Sequence, residues 1–191
     1  QVEAEVRFTL GDVYAKLGRF EEAHDQLIRA HDLRKGISGE TDRSTLEAQF
    51  RLANVLIEQG RFEEGEAMLR DNLERRRFLF GARDPDTLFS ADAVGKACVS
   101  LGKYKEAEKI YEANLALRRE VQGKDHSNAL NTQHKLATAL SRQGRTPEAL
   151  AMMQEVLDKR RDQGDEMTCQ SAMNNLANLY HEQGEIELAE Y

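Results

Sequence analysis

The sequence predicts an all-α protein in which antiparallel helix hairpins stack into an α-solenoid. Its composition favours helix, because 32% of the 191 residues are charged while only 2 are Pro and none is Trp. Glycines recur at a period of 42 residues. Around each of them, apolar and small residues are spaced three and four positions apart, which places them on one helix face.

Net charge, hydropathy and cysteine content argue against several classes of protein. A formal net charge of −7 argues against binding to nucleic acid or anionic membranes, which requires a basic surface. No run of about 18 apolar residues predicts a transmembrane helix, and the N-terminal segment lacks the apolar core of a signal peptide. Cys98 and Cys169 are too few for a disulfide framework. We therefore expect a cytoplasmic protein without nucleic-acid or membrane partners.

Five glycines mark the turn of each predicted hairpin. They stand 42, 42, 42 and 40 residues apart, at Gly18, Gly60, Gly102, Gly144 and Gly184. The segments that follow them are related, as in GRFEEA, GRFEEG and GKYKEA in the first three copies. A tight helix–helix turn needs a residue that adopts positive φ without steric cost, and glycine does so best.

Residue sizes around these glycines predict how the two helices of each hairpin pack. An apolar and a small residue lie eight and seven positions before the glycine, as Leu52 and Ala53 do. A small and a large residue lie five and nine positions after it, as Ala23 and Leu27 do. Small residues allow helices to approach closely, and large ones fill the groove between them. Each period therefore predicts one packed hairpin.

The helix ends recur at the same period. The predicted ends of the second helices are Gly39, Gly81, Gly123 and Gly164. Before them, arginines recur at the same period, at Arg34, Arg76, Arg118 and Arg160. We expect these arginines to form a structural ladder, one per repeat, whose charge complements the helix dipoles. The predicted N-caps of the first helices are Ser44, Asp86, Asn128 and Thr168. Glu47 lies three residues after Ser44, which predicts a capping box.

These residues resemble the tetratricopeptide repeat, in which leucine, a small residue, an aromatic, a turn glycine and a second small residue follow in order. The 42-residue period, the late arginine pair and the linker Gly123-Lys124-Asp125-His126 are similar to the kinesin light chain subtype. The resemblance spans the chain and implies a right-handed superhelix whose first helices line a concave surface. It also implies a non-catalytic scaffold that binds a segment of another protein.

The period divides the chain into one solenoid, residues 1–191, with repeats at about 2–43, 44–85, 86–127 and 128–167 and a partial repeat at 168–191. Natural arrays end in polar capping helices, whereas this pattern is cut at both ends. We therefore expect a fragment of a longer array. End-to-end self-association through the truncated repeats is an open alternative.

The same register predicts which side chains of the first helices line the concave surface. They lie thirteen, ten, six or three positions before each turn glycine, away from the packed stripe. The candidate peptide-binding residues are Phe8, Asp12, Phe50, Asn54, Phe89, Asp92, Lys96, Asn131, His134, Thr138, Asn174, Asn178 and His181. Ile57, Ser141 and Ser171 share these positions.

Two interpretations of this surface remain open. Asparagine amides both donate and accept hydrogen bonds and so suit a peptide backbone, while the phenylalanines offer pockets for apolar anchors. Alternatively, Phe8 and Phe50 pack between helices, and Asn54 and Asn178 are merely solvated. For the surface as a whole we favour peptide binding, because solenoids use their concave faces in this way.

Motifs for catalysis, metal binding or cofactor binding are missing from the sequence. The five histidines form no HExxH pair and the cysteines no CxxC pair, so no zinc site is predicted. Gly102-Lys103 lacks the spacing of a phosphate loop. Cys98 is expected in the core, and the basic run at 75–77 fits the structural ladder better than a phosphate site.

The sequence therefore predicts a non-enzymatic interaction scaffold without cofactors, whose partner is a protein or peptide bound on the concave face. The alternative is a regulatory, autoinhibitory or self-assembling repeat segment of a larger multidomain protein. An enzyme is a distant third hypothesis.

Overall fold

The computed structural model describes residues 1–164, 169–170, 173–174, 176–177 and 180. Over this part of the chain the regular structure is entirely helical. The helices are α1 (Val2–Lys16), α2 (Phe20–Ser38), α3 (Arg43–Glu58), α4 (Phe62–Phe80), α5 (Pro85–Ser100), α6 (Tyr104–Gln122), α7 (Ser127–Arg142) and α8 (Thr146–Asp162). The predicted alternation of first and second helices is confirmed.

The chain forms two compact units, Gln1–Leu101 and Gly102–Tyr191. Unit 1 contains α1 to α5, in which each helix packs against the next along the chain. Unit 2 contains α6 to α8, which pack in the same sequential manner. The single solenoid over residues 1–191 stays a prediction.

The turn glycines adopt the backbone conformation that the sequence predicts. Gly18, Gly60, Gly102 and Gly144 have φ between +71° and +80°. At the first turn, the amide of Gly18 donates to the carbonyl oxygen of Ala15 at 3.1 Å, and the amide of Arg19 donates to that of Tyr14 at 2.9 Å. These bonds satisfy carbonyl groups at the end of α1. A side chain at the glycine would be strained in this conformation.

The core of unit 1 is built from the small and large residues of the predicted stripes. Ala23, Leu27, Leu52 and Val55 form one buried cluster, with Tyr14 packed against it. Ala23 and Leu27 are fully buried. The absence of a side chain beyond Cβ at Ala23 lets α2 lie close to its neighbours, as the repeat pattern predicts.

The predicted N-caps of the first helices are wrong by two residues. Asp42 caps α3 and accepts the amide hydrogen of Ser44 at 2.9 Å, while Asp84 caps α5 and accepts that of Asp86 at 3.0 Å. In the same way, Nδ1 of His126 accepts the amide hydrogen of Asn128 at 3.1 Å. A capping side chain must turn back from an extended residue, and Asp42 has that conformation with φ −66° and ψ 141°. Ser44, Asp86 and Asn128 therefore lie inside their helices.

Two further predictions about caps have different outcomes. Glu47 does not form a capping box with Ser44, because its carboxylate binds Arg51 at 2.9 Å and Arg76 at 2.9 Å. Its role is to join α3 to α4 rather than to close the start of α3. Thr168 lies outside the described residues.

The arginine ladder is buried and joins successive helices. Nη1 of Arg34 donates to the carbonyl oxygen of Ser44 at 2.8 Å, and Nη2 binds Glu5 at 2.9 Å. Its guanidinium also lies 4.0 Å from the centre of the Phe8 ring. The predicted complement to the helix dipole is instead supplied by Lys35, which lies in the last turn of α2.

The same set of contacts recurs 42 residues later. Nη1 of Arg76 donates to the carbonyl oxygen of Asp86 at 2.9 Å, and Nη2 binds Glu47 at 2.9 Å. The guanidinium lies over Phe50, 5.3 Å from the ring centre. Arg76 therefore contacts the preceding first helix, α3, and the following one, α5, from its own position on α4.

Replacing Arg76 tests this tie. We expect Arg76→Met to lower the free energy of unfolding by about 2–4 kcal/mol, because it removes the charged hydrogen bonds that join α4 to the carbonyl oxygen of Asp86 on α5 and to the carboxylate of Glu47 on α3. The neighbouring Arg77 is exposed. Arg77→Met is therefore the matched control and should cost less than about 1 kcal/mol in urea-induced unfolding. If the two variants lose the same free energy of unfolding, the role of Arg76 in joining the helices is contradicted.

At Gly65 the packing of neighbouring side chains leaves no room for a Cβ atom. A Cβ there would lie 2.6 Å from Cδ1 of Ile57 and 3.0 Å from the carbonyl oxygen of Ala53. The first, third and fourth copies carry alanine at this position, together with Ala15, Val99 and Ser141, which are smaller than isoleucine, at the position of Ile57. A larger residue at the position of Ile57 is therefore accompanied by a smaller one at the position of Gly65.

A double-mutant cycle measures this exchange. Alanine in a helix is favoured over glycine by about 1 kcal/mol, so Gly36→Ala on α2, which meets nothing within 4 Å, should stabilise by that amount. We expect Gly65→Ala to lose this gain to overpacking, and Ile57→Val to restore it, with a favourable coupling of about 1 kcal/mol. Additive effects in thermal or urea unfolding would show that the two residues do not compete for space.

Candidate functional site

The first helices of unit 1 lie side by side and are joined by ion pairs. Nη1 of Arg51 on α3 is 3.5 Å from Asp12 on α1, and Nζ of Lys96 on α5 is 2.5 Å from Glu58 on α3. We call the exposed side of α1, α3 and α5 the first-helix face. Most of the predicted site residues of unit 1 belong to it.

A cleft of about 330 Å³ opens on this face between α1 and α3. Its lining residues are Asp12, Ala15, Lys16, Phe20, Leu27, Arg51, Asn54, Val55 and Glu58. Leu27 and Val55 are buried and supply an apolar floor. Charged and amide groups surround that floor, which is the usual construction of a binding site for an organic ligand.

The charged rim of the cleft is held by exposed ion pairs. Asp12 is 2.6 Å from Lys16 one turn along α1 and 3.5 Å from Arg51 across the cleft. Arg51 also binds Glu47 on its own helix at 2.9 Å. Exposed pairs of this kind contribute little to stability, because solvent screens them. The rim charges can therefore exchange partners with a ligand at low cost.

Asn54 lies between the rim and the floor and is half-buried. Its Nδ2 donates to the carbonyl oxygen of Phe50 at 2.7 Å. This bond fixes the orientation of the amide and leaves Oδ1 as an acceptor directed away from the helix backbone. The predicted asparagine is therefore placed to accept a hydrogen bond from a ligand N–H group.

The positions ten residues before the turn glycines are covered by the buried arginines. Phe8 and Phe50 are half-buried beneath Arg34 and Arg76, so packing between helices explains them better than ligand pockets. Asp92, at the equivalent position on α5, is only 4% exposed and does not line the accessible face as predicted. The sequence register did not show that an arginine of the second helix lies over Phe8 and over Phe50.

The remaining predicted residues of unit 1 have mixed positions. Phe89 is 43% exposed, which leaves its ring accessible on α5. Lys96 is exposed and pairs with Glu58. Ile57 is only 5% exposed because it fills the space beside Gly65. Phe89 and Lys96 thus extend the first-helix face beyond the cleft, whereas Ile57 belongs to the core.

In unit 2 the predicted residues of α7 form a polar row. Asn131 is exposed, and its Oδ1 accepts a hydrogen bond from Nη2 of Arg160 at 2.6 Å. Burial, together with the nearby charges of Arg160 and Lys135, lowers the pKa of His134 to about 4. His134 is therefore neutral at neutral pH. The hydroxyl of Thr138 donates to the carbonyl oxygen of His134 at 3.1 Å, so it is satisfied within the helix.

The last predicted residues lie at the edge of what the structure describes. Asn174 is exposed, and its Oδ1 lies 3.4 Å from Nε2 of Gln170. Asn178 and His181 lie outside the described residues.

Sequence reasoning missed part of the cleft. Lys16 and Glu58 lie four residues after the predicted Asp12 and Asn54, which is one helical turn along the same face. That spacing would have identified both. Arg51 carried no such signal, because its place in the rim depends on the reach of its side chain across to α1.

Cys98 has the structural role expected from its position in the repeat. It is fully buried, and its Sγ lies 3.4 Å from Arg70 and 3.6 Å from Glu66. A buried thiol is not accessible to solutes, which supports a role in packing rather than reactivity. Each helix in the described part of the chain is too short or too polar to cross a membrane.

Comparisons with known proteins identify the repeat. Two tetratricopeptide repeat profiles match the chain, one over residues 44–113 and 97–162 and the other over residues 8–74 and 134–191. No curated protein sequence matches. Together the matched segments extend over nearly the whole chain.

Solved structures share the fold at low sequence identity. One is a variant of the nearly identical TPR-like repeats of a kinesin light chain-like protein from Podosopora anserina. It aligns with a TM-score of 0.82 and 20% identity, covering 100% of this chain and 92% of that one. BtubC (BKLC) from P. vanneervenii aligns with a TM-score of 0.80 and 18% identity, covering 97% and 75%. A Rap protein complexed with competence and sporulation factor aligns with a TM-score of 0.73 and 18% identity, covering 97% and 60%.

These structural matches show an α-solenoid fold of the kind found in kinesin light chain-like repeats. With the sequence profiles, they confirm the resemblance that the repeat pattern predicts. The chain belongs to the tetratricopeptide repeat family.

Proposed function

We propose that this chain is a non-catalytic interaction scaffold that binds a peptide segment of a partner protein on its first-helix face. The cleft between α1 and α3 carries the proposal, because it combines an apolar floor with a rim of opposite charges and a half-buried amide. This combination suits a peptide better than a metabolite, since it offers no concentrated charge or catalytic group.

Each part of the cleft has a counterpart in an extended peptide. The apolar floor of Leu27 and Val55, with Ala15 and Phe20 beside it, accepts one apolar side chain. Oδ1 of Asn54 accepts a backbone N–H group, while Arg51 can bind a carboxylate or carbonyl oxygen of the ligand. Phe89 and Lys96 provide further contacts on the same face.

The comparison structures support this assignment at the level of the fold. One of them, a Rap protein, was solved as a complex with competence and sporulation factor. At 18% identity the similarity concerns architecture and not the identity of a ligand. We propose that this chain uses its repeat surface for the same general purpose, in the cytoplasm, where its two free cysteines stay reduced.

Peptide display tests this proposal. We expect a random library of about 12-residue peptides to yield binders whose affinity falls about tenfold in Arg51→Ala and in Asn54→Ala, because both remove contacts to the bound backbone. Arg29→Ala, at an exposed position on the second helix α2, is the matched control and should leave affinity unchanged. Fluorescence anisotropy measures the affinities, and circular dichroism verifies that the variants fold.

Either of two results would oppose the proposal. One is that no peptide is enriched above the level found when the same library is screened against an unrelated helical protein. The other is a set of enriched peptides that bind Arg51→Ala and Asn54→Ala as tightly as the unchanged chain.

A second candidate function, self-association, is favoured by an apolar stripe on α1. Val2, Val6, Leu10, Val13 and Leu17 are between 42% and 79% exposed and follow one helix face. The positions on α3 equivalent to Val6, Leu10 and Val13 are all buried, and two of them, Leu52 and Val55, pack against α2. The exposed stripe therefore has the form of a surface that packs against another helix.

Light scattering distinguishes this candidate. If the stripe mediates self-association, the average mass rises with protein concentration, and Val6→Glu combined with Val13→Glu abolishes the rise because it places charge in an apolar interface. Arg51→Ala should leave the mass unchanged. A constant monomer mass over a hundredfold concentration range would exclude the candidate.

A further inference from the structure

Unit 2 contains a groove on the side of its second helices. A trough of about 640 Å³ runs between α6 and α8, with α7 beneath it. Its lining residues are Glu112, Leu115, Ala116, Arg119, Gln133, Leu136, Glu148, Ala151, Met152 and Glu155. We call this surface the second-helix trough. It is separate from the first-helix face, which lies on α1, α3 and α5 of unit 1.

The trough owes its depth to small residues in its walls. Ala116 on α6 and Ala151 on α8 are exposed and carry no side chain beyond Cβ, so the space between the helices stays open. Leu115 and Leu136 are buried at the floor, and Met152 is half-buried beside them. The unbranched, polarisable side chain of methionine adapts to ligands of different shape.

The rim of the trough is acidic. Glu112 lies on the α6 wall, and Glu148 and Glu155 lie on the α8 wall. Hydrogen bonds from Arg145 lower the pKa of Glu148, so that this carboxylate stays ionised at neutral pH. Glu112 and Glu148 are both exposed. Both carboxylate oxygens of Glu148 accept from Arg145, so a ligand cation there shares this carboxylate with Arg145, whereas the carboxylate of Glu112 is directly accessible.

The one basic residue of the lining does not cancel this charge. Nη2 of Arg119 donates to Oε1 of Gln133 at 2.9 Å, and Nε2 of Gln133 in turn donates to Glu155 at 2.7 Å. This bridge crosses the trough from α6 to α8 and holds Arg119 and Glu155 in place. Three carboxylates against two guanidinium groups, those of Arg119 and of the Arg145 that pairs with Glu148, leave the rim with a net negative charge.

We propose that the second-helix trough docks a basic amphipathic helix of a partner protein. Apolar side chains of that helix would occupy the floor over Leu115, Leu136 and Met152, and its lysines or arginines would bind Glu112 and Glu148. Opposite charge at the rim and an apolar floor are the features by which an open groove selects such a helix.

An internal copy of one wall provides the control. On α4, Glu64, Ala67, Met68 and Asp71 occupy the positions of Glu148, Ala151, Met152 and Glu155, each 84 residues earlier. Gln49 also donates to Asp71 at 2.8 Å, as Gln133 does to Glu155. The facing wall differs, because α2 carries Ile28, His31 and Asp32 where α6 carries Glu112, Leu115 and Ala116. Side chains larger than Ala116 therefore occupy the unit 1 equivalent.

The test uses two model peptides of about 14 residues, one of leucine and lysine in an amphipathic helical pattern and one with glutamate in place of lysine. Binding is followed by the methyl resonances of selectively labelled methionine, with Met152 in the trough and Met68 at the equivalent position on α4. We expect the lysine peptide to shift the Met152 signal saturably and the glutamate peptide to leave it unchanged.

Variants identify the site. Ala151→Gln fills the trough from an exposed helix position and should weaken binding of the lysine peptide about tenfold, whereas Ala67→Gln should change it less than about twofold. Glu112→Gln should weaken it and reduce its dependence on salt. Circular dichroism and thermal unfolding establish that each variant folds.

Several results would overturn the inference. Binding that shifts Met68 rather than Met152, or that Ala151→Gln leaves intact, would place the helix elsewhere. Equal binding of the glutamate peptide would contradict the role of the acidic rim. No shift of Met152 at millimolar lysine peptide would show that the trough docks no such helix, and a concentration-dependent shift of Met152 without peptide would assign the trough to a second copy of this chain.

Discussion

The arrangement of helices in unit 1 depends on the buried arginine near the end of each second helix. Arg34 and Arg76 each bind a glutamate of the preceding first helix and a carbonyl oxygen of the following one. The Nη groups of these buried arginines keep their hydrogen bonds only when both first helices are in place, so each arginine links three helices. Arg34 joins α1 to α3, the helices on either side of the cleft, and Arg76 joins α3 to α5.

The arginines also determine which side chains the first-helix face offers. They cover the row that contains Phe8 and Phe50, and they leave the row of Asp12, Asn54 and Lys96 in contact with solvent. The proposed binding groups thus lie at positions whose change costs the fold little. Adjacent turns of the same helix face then carry the packing and the proposed binding separately.

The sequence predicted the hairpins and their turns well, because these depend on local constraints. The positive φ of Gly18 and the close approach at Ala23 follow from residue size alone. The cap at Asp42 was missed because the period fixes spacing and not which side chain turns back towards the helix. In the proposed site, the register predicts Asp12 and Asn54, which line the cleft, whereas Arg51 carries no such signal, since its contact with α1 depends on the reach of a long side chain.

The most direct test of the account is a crystal structure of the chain with a display-selected peptide. We expect the peptide to lie between α1 and α3, with an apolar side chain over Val55 and a backbone N–H group within hydrogen-bond distance of Oδ1 of Asn54. A peptide bound at another surface, with the α1–α3 cleft still empty, would contradict the account.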